Sequence, residues 1–273
     1  MTNLKMVRAR FARSTGLPFA NVLTEANILD VLNDHGIKYR DRVFNPVTTI
    51  WGFLSQVLSD DHSCRDAVAR VIAHKAASGA RVCSPNTASY CNARSRLRTD
   101  VLRTLAMRTA QELQAGALQE WKWNGRQIGN LYERRWEGEV DIRSIKSTMK
   151  MDVLRCKTPE MVRKEIWTHL LAYNLLRTVM AVAAAENGIE PRQVSFKGAK
   201  QAVTAFAPKI EVARSEGRTL LIDAMLTTIA YHRVGNRTGR WEPRARKRRP
   251  KPGVRLMQSR AIARLLQNRS KYY

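Results

Sequence analysis

The chain has 273 residues and a formal net charge of +25, because 48 Lys and Arg residues stand against 23 Asp and Glu residues. An excess of this size repels itself unless a polyanion neutralises it, so nucleic acid is the expected partner. A membrane surface is the lesser alternative, and we expect no membrane partner because no compact basic amphipathic helix stands alone. No apolar run approaches the length of a membrane span, we expect no secretory signal, and the four cysteines are too scattered for a zinc site.

Residues 1–115 predict an N-terminal helical bundle. Its helices are expected to begin at four capping positions, which are Thr24 or Asn27, Asn45, Ser63 and Ser84. The helix that starts at Ser84 and Pro85 is predicted to be the longest and to run through Leu113. Its polar face is basic and carries Arg94, Arg96, Arg98, Arg103 and Arg108. Such a face suits contacts with DNA phosphates, and we predict that Arg94 and Arg98 make them. The alternative is that these arginines are only solvated.

Residues 116–130 lose helical periodicity and contain three glycines. We therefore predict a linker here, between the helical bundle and the segment that follows it.

Four chemically capable side chains follow in the segment 131–150, with the spacing Y-x2-R-x3-E-x6-K. They are Tyr132, Arg135, Glu139 and Lys146. On an α-helix at about 100° per residue, all four project into a sector of about 60°. Two cations and a phenol around one carboxylate suit a phosphate-handling site, since the cations bind phosphate and the carboxylate can bind a divalent metal. The spacing alone leaves open a solvated charge network on a surface helix.

An apolar stripe adjoins these four residues on the same helical wheel. It consists of Ile142, Ile145 and Met149. We expect it to anchor the helix on a core.

The following region, up to residue 232, is predicted to be helical as well. Thr158 and Pro159 mark the start of a long helix that is apolar on several faces, so we expect it to pack on other helices or on a second chain. Two shorter helices are expected over 196–210 and 219–231.

The stretch 233–273 forms a basic C-terminal arm. Its part from Arg233 to Arg255 has ten Lys or Arg residues against one acid, Glu242, and three prolines interrupt it. We predict an arm without regular structure that clamps the DNA backbone, with a merely solubilising tail as the alternative. Its densest part is Arg246, Lys247, Arg248 and Arg249.

The four-residue signature and the run MDVLRCKTPEMVRKEIWTHLLAYNLLR after it resemble the catalytic domain of DDE transposases of the insertion-sequence-four group. The resemblance implies that Glu139 is the last metal-binding carboxylate of the DDE triad, with Mg²⁺ as the cofactor, on a helix of a ribonuclease-H-like domain. It also implies that Tyr132, Arg135 and Lys146 handle the transposon end.

Further expectations about partners and location follow from the same resemblance. The N-terminal region is expected to recognise the terminal inverted repeats of an insertion element. The chain is expected to form a homodimer, or a heterodimer with an intact transposase, and to be cytoplasmic in a bacterium, in association with the nucleoid.

The chain departs from this family upstream of Glu139. A DDE site needs two further aspartates, yet no Asp lies between Val101 and Glu139, and the stretch WKWNGRQIG passes directly into the signature. We interpret the chain as mostly α: an N-terminal bundle plus a helical remnant of a ribonuclease-H-like domain that lacks most of its sheet, with 116–130 as the deletion junction.

This interpretation predicts a protein that binds DNA without cutting it. Two alternatives remain open. One is an active transposase in which another carboxylate, such as Asp100, serves the metal, and the other is a DNA-binding inhibitor of an intact transposase.

Overall fold

The computed structural model describes residues 19, 22–80, 82–116, 138–235, 259 and 262. Within them the protein is mostly helical. The helices are α1 (Glu25–Asp34), α2 (Pro46–Leu58), α3 (Cys64–Ala77), α4 (Ala88–Arg96), α5 (Thr99–Gly116), α6 (138–143, continued by a π-helical turn Ser144–Thr148), α7 (Pro159–Glu186), a 3₁₀ turn Pro191–Gln193, α8 (Phe196–Val212) and α9 (Ser215–Tyr231).

Side-chain caps begin the helices where the sequence predicts them. Thr24 and Asn27 form a reciprocal capping box at α1, and the side chains of Asn45 and Ser63 accept hydrogen bonds from backbone N–H groups at the starts of α2 and α3. Thr158 does the same for α7, with Pro159 in its first turn. These predictions are confirmed.

The predicted single helix from Ser84 to Leu113 is wrong. Ser84 accepts a hydrogen bond from the Asn86 backbone at 3.3 Å in a short turn, and α4 begins only at Ala88. Leu97 then leaves the helical conformation, with φ −64° and ψ 126°, and buries its side chain, so α4 and α5 are separate helices. The longest described helix is α7, with 28 residues.

One hydrophobic core extends from the N-terminal helices to α9. The helix α7 lies at its centre, packs along α5, and also contacts α2, α8 and α9. Its buried residues fall on several faces, as the sequence predicts, and include Leu171, Leu175, Leu176, Val179 and Met180. Helices on both sides of the undescribed stretch 117–137 therefore share one core.

Extended structure is almost absent from the described part of the chain, where an isolated antiparallel bridge pairs Val194 with Arg233. The expectation of a mostly α protein is confirmed to this extent. None of the described helices combines the length and apolar composition that a membrane span requires. Most of the predicted linker, 117–130, and residues 236–255 of the arm, including Arg246, Lys247, Arg248 and Arg249, lie outside the described residues. The domain boundaries stay a prediction.

A buried histidine pair joins the turn before α3 to α7. The rings of His62 and His169 stack with their centroids 6.2 Å apart, and the two residues are 7% and 1% exposed. Burial lowers the pKa of His62 to about 4, and His169 contributes to the same direction. Burial lowers the pKa of His169 as well.

We expect these histidines to make the protein acid-labile. The unfolded chain takes up their protons near pH 6.5 whereas the folded chain resists them, so stability is full above that pH and falls as the pH approaches about 4. The His62 contribution is at most about 3 kcal/mol. Urea unfolding at a series of pH values should show the loss. His62→Asn, which suits the left-handed φ of 53°, should reduce it, and His232→Asn at an exposed position should not. An equal loss in both variants would contradict the assignment.

Candidate functional site

The signature segment is helical from 138, but its helix is not uniform. Residues 138–143 are α-helical, and Ser144–Thr148 form a π-helical turn in which the Met149 N–H donates to the Ser144 carbonyl at 3.0 Å. The wider turn rotates successive side chains by less than the α-helical angle. Lys146 therefore does not stand where a uniform α-helix would place it relative to Glu139.

The structure describes two of the four signature residues. Glu139 and Lys146 are both exposed. Tyr132 and Arg135 lie outside the described residues, so their grouping with Glu139 stays a prediction.

The predicted apolar stripe is only partly an anchor. Met149 is fully buried and Ile145 is half-buried, but Ile142 is 56% exposed. The expectation is wrong for Ile142. The π-helical turn changes the angle between successive side chains, so the buried face of this segment contains Ser144 and Met149 and not Ile142.

Asp141 joins this helix to α7 and to the 3₁₀ turn through ion pairs. Its Oδ1 accepts a hydrogen bond from Arg177 of α7, and both of its carboxylate oxygens accept from Arg192 Nη1, at 2.7 and 2.9 Å. The Arg177 guanidinium also donates from Nε to the Tyr173 hydroxyl at 2.9 Å and lies over the ring of Phe196, 5.5 Å from its centroid. The sequence analysis missed Asp141. Its position two residues after Glu139 was a signal, but its partners lie 36 and 51 residues away.

The described carboxylates do not fit a two-metal site. Two guanidinium groups already bind Asp141. No group of three or more His, Cys, Asp or Glu residues among the described positions is arranged to hold a metal ion. Several other aspartates are also ion-paired: Asp34 with Arg108, Asp60 with Lys200, Asp66 with Arg70 and Asp100 with Arg98. Asp141 is therefore occupied by its two arginines, and the metal role of Glu139 stays a prediction.

The two arginines predicted to face DNA from the N-terminal bundle differ in position. Arg98 is exposed and pairs with Asp100, Nε to Oδ1 at 3.0 Å. Arg94 is only 7% exposed, and its Nη1 donates to Gln56 Oε1 at 2.6 Å. Its guanidinium carbon also lies 4.5 Å from the ring centroid of Phe53. The placement of Arg94 on an exposed basic face is wrong, because α4 packs on α2 and the Arg94 side chain contacts Gln56 and Phe53 there.

Thiols complete the surroundings of Arg94. Its Nη1 lies 3.6 Å from the Cys64 sulfur and its Nη2 lies 3.3 Å from the Cys156 sulfur. Burial raises the pKa of Cys64, and it raises the pKa of Cys156 to about 11. Both thiols therefore stay protonated near neutral pH and offer Arg94 no negative charge.

Comparison with known proteins identifies the segment that contains this site. A family model described as the transposase DDE domain matches residues 86–175. The chain is also similar to the transposase InsG for insertion sequence element IS4 from Escherichia coli (strain K12), with 45% identity over 78 residues. Those residues are 28% of this chain and 18% of that protein, so the chain spans less than a fifth of the length of this relative. No solved structure matches the chain. Residues 86–175, which include Glu139, are thus similar to the transposase DDE domain, in agreement with the family predicted from the signature.

Proposed function

We propose that this chain binds DNA and does not cleave it. The net charge of +25 favours binding to a polyanion, and the transposase segment indicates that the polyanion is DNA. The sequence-specific part of this binding is proposed to be recognition of the terminal inverted repeats of an insertion element. The positive charge by itself supports only contacts with phosphates.

The absence of cleavage is inferred chiefly from the state of Asp141. In phosphoryl transfer by a two-metal site, several carboxylates must hold two ions a few Å apart on either side of the scissile phosphate. Arg177 and Arg192 neutralise Asp141, and the described residues add no third metal-binding group near Glu139. A single exposed carboxylate leaves Mg²⁺ mostly to water and binds it weakly.

The loss of the catalytic sheet is part of the same proposal. The described residues form a single isolated β-bridge and no β-sheet. They therefore contain no sheet that could carry the first two aspartates of a DDE triad. A ribonuclease-H-like remnant stripped of its sheet agrees with this observation and with the sequence departure before Glu139.

The alternative of an active transposase that uses Asp100 is less well supported. Arg98 binds both oxygens of this carboxylate, and the His35 Nδ1 lies 3.4 Å from Oδ2. Those interactions would have to be broken before Asp100 could bind a metal.

A plasmid assay with Glu139→Gln tests the proposal. With Mg²⁺ or Mn²⁺ and a supercoiled plasmid that carries candidate element ends, we expect neither the wild-type chain nor the variant to nick DNA. The variant should bind DNA at least as tightly as the wild type, because the substitution removes a negative charge that repels phosphate. Fluorescence anisotropy over a range of salt concentrations measures binding, and affinity should fall linearly on a logarithmic plot. Nicking by the wild type that the variant loses would instead support the active transposase.

Addition of the chain to a cleavage reaction of an intact relative tests the inhibitor alternative. If it inhibits by occupying the ends or by dimerising with the relative, the Glu139→Gln variant should inhibit equally, since neither effect requires a catalytic carboxylate.

A further inference from the structure

A basic cavity with an apolar floor lies between α1, α2 and α4, away from the transposase signature. Its volume is about 350 Å³, within the range of small-molecule sites. Its apolar lining residues include Leu32, Ile37, Phe44 and Leu97, and we call this apolar part the floor because Leu32 and Leu97 are buried. Five cations also line it, namely Lys38, Arg40, Arg42, Arg96 and Arg98, and no acidic residue is among its described lining residues.

Four of these cations have no acidic partner among the described residues. Asp100 pairs with Arg98, but no described Asp or Glu lies within ion-pair distance of Lys38, Arg40, Arg42 or Arg96. Three of the four lie on the loop 37–45, in the run KYRDR, where Lys38 and Arg40 flank Tyr39 and Asp41 separates Arg40 from Arg42. Tyr39 lines the cavity and is 41% exposed.

The loop that carries these groups is fixed at both ends. At its start, Gly36 adopts a left-handed φ of 63° and the Ile37 N–H donates to the Leu32 carbonyl at 2.9 Å, which closes α1. At its end, Asn45 caps α2, and its Nδ2 donates to Asp41 Oδ1 at 3.2 Å. The loop therefore presents its cations and Tyr39 in a preformed arrangement, which lowers the entropic cost of binding.

We propose that this cavity binds an unpaired nucleotide of a DNA strand, with the base on Tyr39 and the apolar floor and the flanking phosphates on the rim cations. Phosphates of a duplex need only an exposed basic surface. A base must leave its stack and its pair before it can enter a cavity, and that cost is least for an unpaired nucleotide. An aromatic ring beside a groove of positive charge is the arrangement by which proteins bind single strands. This inference rests on the proposed DNA binding and adds the kind of DNA, a single-stranded extension next to a duplex.

The test compares two DNA molecules on the full chain. One is a blunt duplex of about 30 base pairs, and the other has the same duplex with a thymidine extension of about six nucleotides, within the site sizes of single-strand binders. We expect the extension to strengthen binding by about tenfold, which is the energy scale of stacking one base on an aromatic side chain.

Substitution of Tyr39 should separate the two DNA molecules. Tyr39→Ala should abolish the advantage of the extension and leave the affinity for the blunt duplex unchanged, while Tyr39→Phe, which keeps the ring, should retain the advantage. Tyr231→Ala is the matched control, because Tyr231 is 84% exposed on α9 and lies outside the cavity lining. Thermal unfolding of each variant verifies that it is folded. Equal preference for the extension in wild type and Tyr39→Ala would overturn the proposal.

Two further measurements distinguish this inference from the proposed function. Arg40→Gln should lower the salt slope for an isolated thymidine oligonucleotide by about 0.7, the value for one lost phosphate contact on a single strand. If neither duplex binds, the proposed duplex binding fails, but the oligonucleotide still tests the cavity through Tyr39→Ala. If the oligonucleotide binds wild type and Tyr39→Ala alike, the cavity is not its site.

Discussion

Replacement of Arg94 with alanine is expected to lower the free energy of unfolding by about 3 kcal/mol, the scale of losing a large buried side chain with its contacts. The buried guanidinium donates to Gln56 and lies over the rings of Phe53 and Tyr90, 4.5 and 5.4 Å from their centroids. Truncation removes a desolvated cation–π contact and a charge-assisted hydrogen bond, and it leaves a cavity where α4 meets α2. Urea unfolding at neutral pH measures the effect.

Arg98→Ala is the matched control for that experiment. The Arg98 side chain is exposed and pairs with a half-buried Asp100 at the surface, an interaction that contributes less than about 1 kcal/mol. The stability of this variant should therefore stay close to that of the wild type. If the two substitutions were equally mild, Arg94 would not have the structural role assigned here, and its predicted contact with DNA would regain support.

Helix starts were predictable because the signals that specify them are local. Thr24, Asn45, Ser63 and Thr158 each bind backbone N–H groups within three residues of themselves. Such contacts do not depend on how the rest of the chain folds. The burial of α7 was predictable for a related reason, since apolar residues on several faces of one helix cannot all be solvated.

The position of Arg94 was not predictable from a helical wheel. The wheel assumed one helix across Leu97, and the partners of Arg94 lie 38 residues before it, at Gln56, and 62 residues after it, at Cys156. One local signal was available, because Tyr90 stands one helical turn earlier and is fully buried. That signal becomes clear only when α4 is recognised as a separate helix.

The candidate site was predicted in its residue types and family but not in its supporting contacts. Glu139 and Lys146 lie in the transposase segment, as the signature indicates. The π-helical turn and the two arginines that bind Asp141 depend on tertiary packing against α7 and the 3₁₀ turn, which no local pattern specifies. Those contacts are also what makes Asp141 unsuited to a metal, so the chemistry of the site depends on the part that the sequence did not reveal.

The largest effect on DNA binding is expected from the basic arm. Of its ten cations from Arg233 to Arg255, nine follow Gly235, the last residue of the first compact unit, and their only acidic neighbour is Glu242. We expect the change of Arg246, Lys247, Arg248 and Arg249 to glutamine to weaken duplex binding by roughly 10²–10³-fold at about 0.1 M salt and to lower the salt slope by about 3 to 4, if each cation contacts one phosphate.

A second quadruple variant removes the same charge from elsewhere in the chain. Lys157, Arg163, Lys197 and Lys209 are exposed, so their change to glutamine lowers the net charge equally without disturbing the core. Anisotropy titrations of both variants against the same duplex then separate local contact from general attraction. Because contact with a phosphate releases a condensed counterion whereas distant charge is screened within about 10 Å at 0.1 M salt, only the arm variant should lose the full slope. Equal losses in both variants would mean that the arm contributes charge but no clamp.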